Sequence, residues 1–211
     1  MFAAYYPISP APVTSLEVFG TLAVLLGASV WIFWMLVKRS TSSRQLTALA
    51  EWARDEGWRM AGGPLDRPEP FDILSGPGLE PQLALSDRSG IESIVQLGNW
   101  NVLIRRIETP WKPTGLRPAL STSSVLELFS LSSFPLLGPS DRFVMFGTDP
   151  TAAAALSASS ARALLPPDVG LLLHGQQLVL DFSSRPFDAV ELNRMRALAA
   201  QIAGHLPPAT R

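Results

Sequence analysis

The chain has 211 residues, a formal net charge of −1 and no cysteine. The lack of cysteine excludes disulfides, thiol nucleophiles and every zinc or iron–sulfur site built on thiolates. The balanced charge argues against nucleic acid as a partner, because a phosphate backbone is bound by a concentrated positive field.

Residues 18–37, VFGTLAVLLGASVWIFWMLV, are twenty consecutive residues without a charge. A helix of that length is about 30 Å long, which matches the hydrocarbon core of a bilayer. The run is longer than the apolar part of a secretory signal peptide, no Lys or Arg precedes it, and it ends in bulky residues. The sequence therefore predicts an uncleaved transmembrane helix at 18–37, after a short extracytoplasmic segment at 1–17.

The predicted orientation rests on the cations that flank this helix. Lys38, Arg39 and Arg44 follow it, and no Lys or Arg comes before it. Because Lys and Arg accumulate on the cytoplasmic side of a span, we expect a single-pass protein of the cell membrane with its C-terminal domain in the cytoplasm. Three cations are too few to indicate a specific lipid site, so the predicted lipid partner is the bilayer itself.

Residues 38–57 are predicted to form a juxtamembrane amphipathic helix that begins near Ser42 or Ser43 and ends at Gly57. Its apolar stripe holds Leu46, Leu49, Ala50 and Ala53. The stripe suits either the bilayer surface or the domain that follows. We favour the domain, because the polar face carries acidic as well as basic residues.

Residues 58–211 are predicted to form one soluble α+β domain with an antiparallel sheet. The best β signal is a hairpin at 91–109, IESIVQLGNWNVLIRRIET, with its turn at Gly98-Asn99. Weaker patterns indicate strands at 83–86, 125–131 and 142–146, and a second hairpin joining 171–174 to 178–182 around Gly175-Gln176. The proline-containing segments TPWKPTGLRPAL and SSFPLLGPSD are predicted to be irregular, because proline cannot donate to a strand ladder.

Two helices are predicted in the C-terminal third of the chain. The first begins at Asp149 as N-cap with Pro150 as its first residue, and Pro166-Pro167 end it. The second runs over residues 187–205 and presents one apolar face. The whole pattern predicts one N-terminal transmembrane helix followed by a single antiparallel-sheet domain, with helices before, between and after the strands.

The chain has two histidines, which are the candidates for a catalytic or metal-binding role. His174 lies at a predicted strand end and His205 in the last turn of the final helix. Both suit structural roles, a hairpin-end hydrogen bond and a helix C-cap. The alternative is a shared metal or acid/base site beside a carboxylate such as Asp181. Since no G-x-S-x-G elbow or phosphate loop is present, we assign no catalytic residue, metal ligand or cofactor, and a non-enzyme is favoured.

One segment has the residue types of a recognition surface. Trp111, Lys112 and Arg117 lie in a proline-stiffened stretch, and Trp and Arg are frequent in interface hot spots. They are candidates for contact with a partner. The alternative, which we favour, is that Trp111 folds back onto the core as a lid.

The stretches LAEWARDEGW, RFVMFGTD and LLLHGQQLVL, in this order after a span, resemble uncharacterised bacterial single-span membrane proteins with a C-terminal soluble α+β domain. That resemblance implies the fold and no activity. The favoured hypothesis is a membrane-anchored, non-catalytic binding or assembly module at the cytoplasmic membrane face. Its partner is a membrane protein, a second copy of the chain or a larger envelope assembly. The alternative is a membrane-surface enzyme, such as a hydrolase with His174 as base.

Overall fold

A computed structural model describes residue 31 and residues 45–61, 82–119, 136–140 and 142–207. The chain divides into two compact units, Met1–Thr47 and Ala48–Arg211. The predicted span at 18–37 lies outside the described residues except for Trp31, which is helical, and Lys38, Arg39 and Arg44 also lie outside them. Among the residues that are described, no helix has both the length and the apolar character needed to cross a membrane.

The second unit contains an antiparallel sheet of seven described strands, which confirms the predicted α+β class. The strands are β1 (Arg59–Ala61), β2 (Leu83–Ser86), β3 (Glu92–Leu97), β4 (Trp100–Pro118), β5 (Leu136–Ser140), β6 (Phe143–Gly147) and β7 (Gly170–Asp181). Their order is β1-β2-β3-β4-β6-β5, and β7 pairs with β4. The described helices are α1 (residues 45–55), α2 (Pro150–Ala158), α3 (Ser160–Leu164) and α4 (Ala189–Gly204).

The hairpin of β3 and β4 forms as predicted. Gly98 adopts a φ of +60°, which the tight turn requires, and Leu97 pairs with Trp100. The register then places one fully buried side chain from each of four strands in a row: Leu85, Ile94, Leu103 and Leu180. Residues of α1, α2, α3 and α4 pack with this row, so the core lies between the sheet and the helices.

The second predicted hairpin is wrong. Residues 171–174 and 178–181 belong to one strand, β7, which pairs with β4 from Leu171 opposite Leu116 to Asp181 opposite Val102. Gly175, at a φ of +55°, bends the strand without reversing it. The turn signal was overridden because both apolar runs find their partner along the same 19-residue strand.

The proline-containing segments were also predicted incorrectly where they are described. Most of TPWKPTGLRPAL belongs to β4, and LLGPS of the other segment is β5. The prolines act instead on register: the pairing of β4 with β7 shifts between Arg106 and Trp111, and again between Trp111 and Thr114. The strand predicted at 142–146 is confirmed as β6, whereas the one predicted at 125–131 lies outside the described residues.

The helices follow their capping signals, with one interruption. Asp149 caps α2 by accepting from the N–H groups of Thr151 and Ala152, as predicted. The single helix expected there is broken at Ser159, whose extended backbone separates α2 from α3 and whose hydroxyl donates to the Leu156 carbonyl. Asp188 caps α4 through the N–H of Glu191.

The described part of the predicted amphipathic helix is α1. Gly57, at a φ of +73°, lies in the turn that follows it. Leu49 and Ala53 of the predicted stripe are buried in the domain core, together with Trp52. The Trp52 ring lies 5.7 Å from that of Trp58, and its indole N–H donates to Asn193 of α4 at 3.3 Å.

Candidate functional site

A groove of about 620 Å³ opens between the middle of β4 and the C-terminal end of α4. Its size falls in the range of sites that bind ligands or peptide side chains. We refer to it as the β4–α4 groove. It is lined by Ile91, Arg105, Arg106, Ile107, Glu108, Thr109, Gln176, Ala200, Ala203, Gly204, Leu206 and Pro207.

The groove forms where β4 loses its neighbours. Pairing with β3 ends at Arg105, and pairing with β6 begins only at Thr114. On the other edge, the register with β7 is interrupted after Arg106 and resumes at Trp111. Residues 107–110 therefore have no paired residue on any strand that the structure describes. Pro110 and Pro113 contribute to this interruption because neither has an N–H to donate.

The floor of the groove is apolar. Ile107 is 7% exposed and belongs to the domain core, and Ala203 and Leu206 pack against that core while remaining partly exposed. Ile91, at the rim, is 45% exposed. An apolar floor that is open to solvent on one side is typical of a binding surface.

One wall of the groove is held by an ion-pair network centred on the buried carboxylate of Glu92. This carboxylate is paired with Arg105 and, at 3.1 Å, with Nε of Arg196, whose Nη1 lies 3.0 Å from Glu56. The Arg196 guanidinium also lies over the Trp58 ring, 4.9 Å from its centroid. Burial lowers the pKa of Arg196, but the hydrogen bonds that it donates to Glu56 and Glu92 outweigh that effect and raise it, so the side chain stays charged. The Arg105 side chain is therefore engaged within the domain.

The rim carries charges of both signs. Arg106 and Glu108 are exposed, and neither makes an ion pair with a described residue. Gln176 of β7 donates from Nε2 to the Glu108 carbonyl at 3.4 Å. The positive charge of Arg106 and the negative charge of Glu108 thus balance each other at the rim, two residues apart on β4.

The three residues predicted to contact a partner lie in β4, in neither a loop nor the β4–α4 groove. Trp111 is buried in the core, as the favoured lid interpretation expects, and its indole N–H has no hydrogen-bond partner among the described residues. Lys112 is exposed and pairs with Asp149 at 2.8 Å; its hydrogen bond lowers the pKa of that carboxyl. Arg117 is half-buried opposite Val144 of β6. The structure does not bring the three side chains together as one surface.

The structure places the two histidines on different elements. His174 is exposed in β7, while Asp181 lies seven residues further along the strand and accepts from the N–H and hydroxyl of Ser183. His205 caps α4, with its Nδ1 2.8 Å from the Gln201 carbonyl oxygen. Within the described ranges there is no group of three His, Asp or Glu side chains that could hold a metal ion.

Sequence reasoning missed the β4–α4 groove. The apolar end of the final helix was recognised, but nothing in the sequence showed that it would face a gap in the pairing of β4. The only local signal of the groove is the pair of prolines, Pro110 and Pro113, near Trp111. These prolines predict an irregular segment, whereas the structure shows an interrupted strand.

No protein-family profile matches the chain, and neither does any curated protein sequence. Among solved structures, the fold is similar to the crystal structure of the mycobacterial trehalose monomycolate transport factor A, TtfA. The TM-score is 0.57 at 12% sequence identity, and the match covers 78% of this chain and 97% of that chain. At this identity the likeness establishes a shared fold for most of both chains.

Proposed function

We propose that this chain is a membrane-anchored, non-catalytic module that binds a membrane-protein partner through the β4–α4 groove. The predicted span at 18–37 supplies the anchor, and the cations that follow it predict that the domain faces the cytoplasm. The fold shared with a transport factor supports a role in a membrane process without identifying what is bound.

The groove is the observation that carries the proposal. Its volume, apolar floor and exposed mixed-charge rim suit binding. Arg105 is paired with Glu92, and the imidazole of the nearby His205 caps its own helix. We therefore favour recognition over catalysis as the role of this surface.

The test compares two substitutions on α4 in the full chain, expressed in its membrane. Ala203→Arg places a long charged side chain on the groove floor. Val190→Arg changes a residue that is 79% exposed on the same helix and does not line the groove. After solubilisation, quantitative mass spectrometry of co-purifying proteins should show one membrane protein lost with Ala203→Arg and retained with Val190→Arg.

Two results would contradict this proposal. One is recovery of the chain in the soluble fraction after cell lysis, which would remove the anchor. The other is an identical set of co-purifying proteins for the two variants, with both shown to be folded by circular dichroism. That second result would leave the groove without a binding role.

A further inference from the structure

We infer that the β4–α4 groove binds its partner as an extended peptide, which adds a short strand to the open edge of β4. This inference rests on the proposed function and specifies the form of the ligand. Strand addition draws its affinity from main-chain hydrogen bonds and its specificity from pockets for alternate side chains.

The edge of β4 provides the main-chain part of such a site. β3 and β6 both pair along one edge of β4, because β7 pairs along the other edge from Val102 to Leu116. Between them, residues 107–112 have no strand partner on that edge in the part of the chain that the structure describes, and the Pro113 carbonyl already accepts from the N–H of Thr148. The length of this gap corresponds to a strand at the short end of the usual range, about three or four residues.

The groove also provides the side-chain part. Successive side chains of a strand point to opposite faces, so every second side chain of an added strand would enter the groove. There it would meet Ile107, Ala203 and Leu206. A β-carbon added at Gly204 would find no atom within 4 Å, so the last turn of α4 leaves space for it. The entering residues should therefore be apolar.

The rim favours a peptide over a lipid. Arg106 and Glu108 lie two residues apart on β4, so a peptide with an acidic and a basic residue at matching positions would complement both. An anionic headgroup would meet the carboxylate of Glu108 as well as the guanidinium of Arg106. An acyl chain has no acceptor for the Glu108 N–H, which faces this edge, whereas a peptide carbonyl would accept from it.

The experiment uses a photo-crosslinking amino acid in place of Leu206 in the full chain, in its own membrane. The control carries the same amino acid in place of Val190. The expected result is crosslinks from position 206 to one contiguous segment of a membrane protein, absent from position 190. A synthetic peptide of that segment, added to the purified full chain, should then slow amide hydrogen exchange at Glu108. The Arg106 N–H donates to Ile91 on this edge, and alternate residues of a strand face the same edge.

Reversing the charge of Arg106, and then that of the facing peptide residue, tests which peptide residue lies opposite Arg106. Arg106→Glu should weaken binding of the same peptide by up to about fivefold, and reversing the peptide's acidic residue should restore it. Ile107→Ser should weaken binding without changing the effect of the charge pair.

The outcomes separate the inference from the proposed function. Crosslinks to a helical segment or to lipid, or unchanged exchange at Glu108 with the peptide bound, overturn strand addition and leave a groove-dependent partner in place. A lack of any specific crosslink at position 206, together with partners that do not depend on Ala203, overturns both.

Discussion

The two halves of β4 make a direct comparison within one strand. Residues 100–106 pair in continuous register, with β3 from Trp100 to Arg105 on one edge and with β7 from Val102 to Arg106 on the other. Residues 107–118 keep an extended backbone, but their pairing is interrupted twice on the β7 edge and is open before β6 on the other. We call these the hairpin half and the bulged half.

The difference shows how one strand can be continuously paired at one end and interrupted at the other. The hairpin half contains no proline or glycine, and Leu103 joins the fully buried row that crosses four strands. The bulged half contains Pro110 and Pro113, which cannot donate to a ladder, and Gly115, where another strand approaches closely. Because pairing is interrupted in the bulged half, residues 107–110 of β4 have no paired residue on a described strand where they border the apolar floor of the β4–α4 groove.

The largest expected effect is a loss of stability, measured for one alanine substitution in each half of β4. Leu103→Ala should lower the free energy of unfolding by about 2–5 kcal/mol, because it leaves a cavity in a fully buried row. Ile107→Ala should cost less, because Ile107 borders the groove and water can occupy the space. Urea denaturation of both variants measures the difference. Equal losses would show that the bulged half is packed as tightly as the hairpin half.

A second substitution tests the close approach in the bulged half. A β-carbon at position 115 would lie 2.2 Å from Cζ of Phe146 and 2.7 Å from the Leu171 carbonyl oxygen. Gly115→Ala should therefore cost about 1–3 kcal/mol in thermal or urea unfolding. The Phe146→Leu change made in addition should recover only part of the loss, because the backbone clash remains. Gly204→Ala, which meets no atom, is the control.

A substitution at the N-terminal end of α4 tests whether the stability of that end affects the bulged half of β4, which faces the other end of the helix. Asp188→Ala removes the cap that accepts from the Glu191 N–H, at an expected cost of about 0.5–2 kcal/mol. Amide exchange near the N-terminus of α4 should accelerate while residues 107–109 are unchanged. Faster exchange at 107–109 would show that the groove depends on the cap.

The smallest expected effect is a pH dependence near the hairpin half. Arg185 hydrogen-bonds Asp168 at 2.8 and 2.7 Å, which lowers the pKa of that carboxyl below its ordinary value of 3.8, and its carbonyl accepts from Asn101 of β4. Because the folded pKa is the lower one, the stabilisation is complete above pH 3.8 and is lost as the pH falls through the folded value. The Asp168 side chain is 43% exposed, so the effect is small.

The measurement is the difference in free energy of unfolding between the natural chain and Asp168→Asn, determined at several pH values. This difference should be largest near neutral pH and should shrink below about pH 4. A Glu108→Gln variant is the control, since Glu108 has no ion pair with a described residue. If the difference in free energy of unfolding between the natural chain and Asp168→Asn does not change with pH, the ionised carboxylate of Asp168 does not stabilise the fold.

The comparison also explains which predictions succeeded. The hairpin at 91–109 was predictable because its turn signal, Gly98-Asn99, and its apolar runs agree with the pairing that forms. The Asp149 cap is likewise local, since its carboxylate bonds to N–H groups two and three residues away. The second hairpin failed because a glycine-containing turn signal at Gly175 competed with a long partner strand and lost.

The sequence alone determined the α+β class, the hairpin, the start of α2 and the prediction of a membrane anchor, because these depend on local signals and on the length of apolar runs. The tertiary structure decided that β7 is one strand, that Trp111 is buried, and that the pairing of β4 with the described strands is interrupted beside the end of α4. Those features depend on residues far apart in the chain, such as Ile91, Ile107 and Leu206, which only the pairing of strands and the packing of α4 bring together.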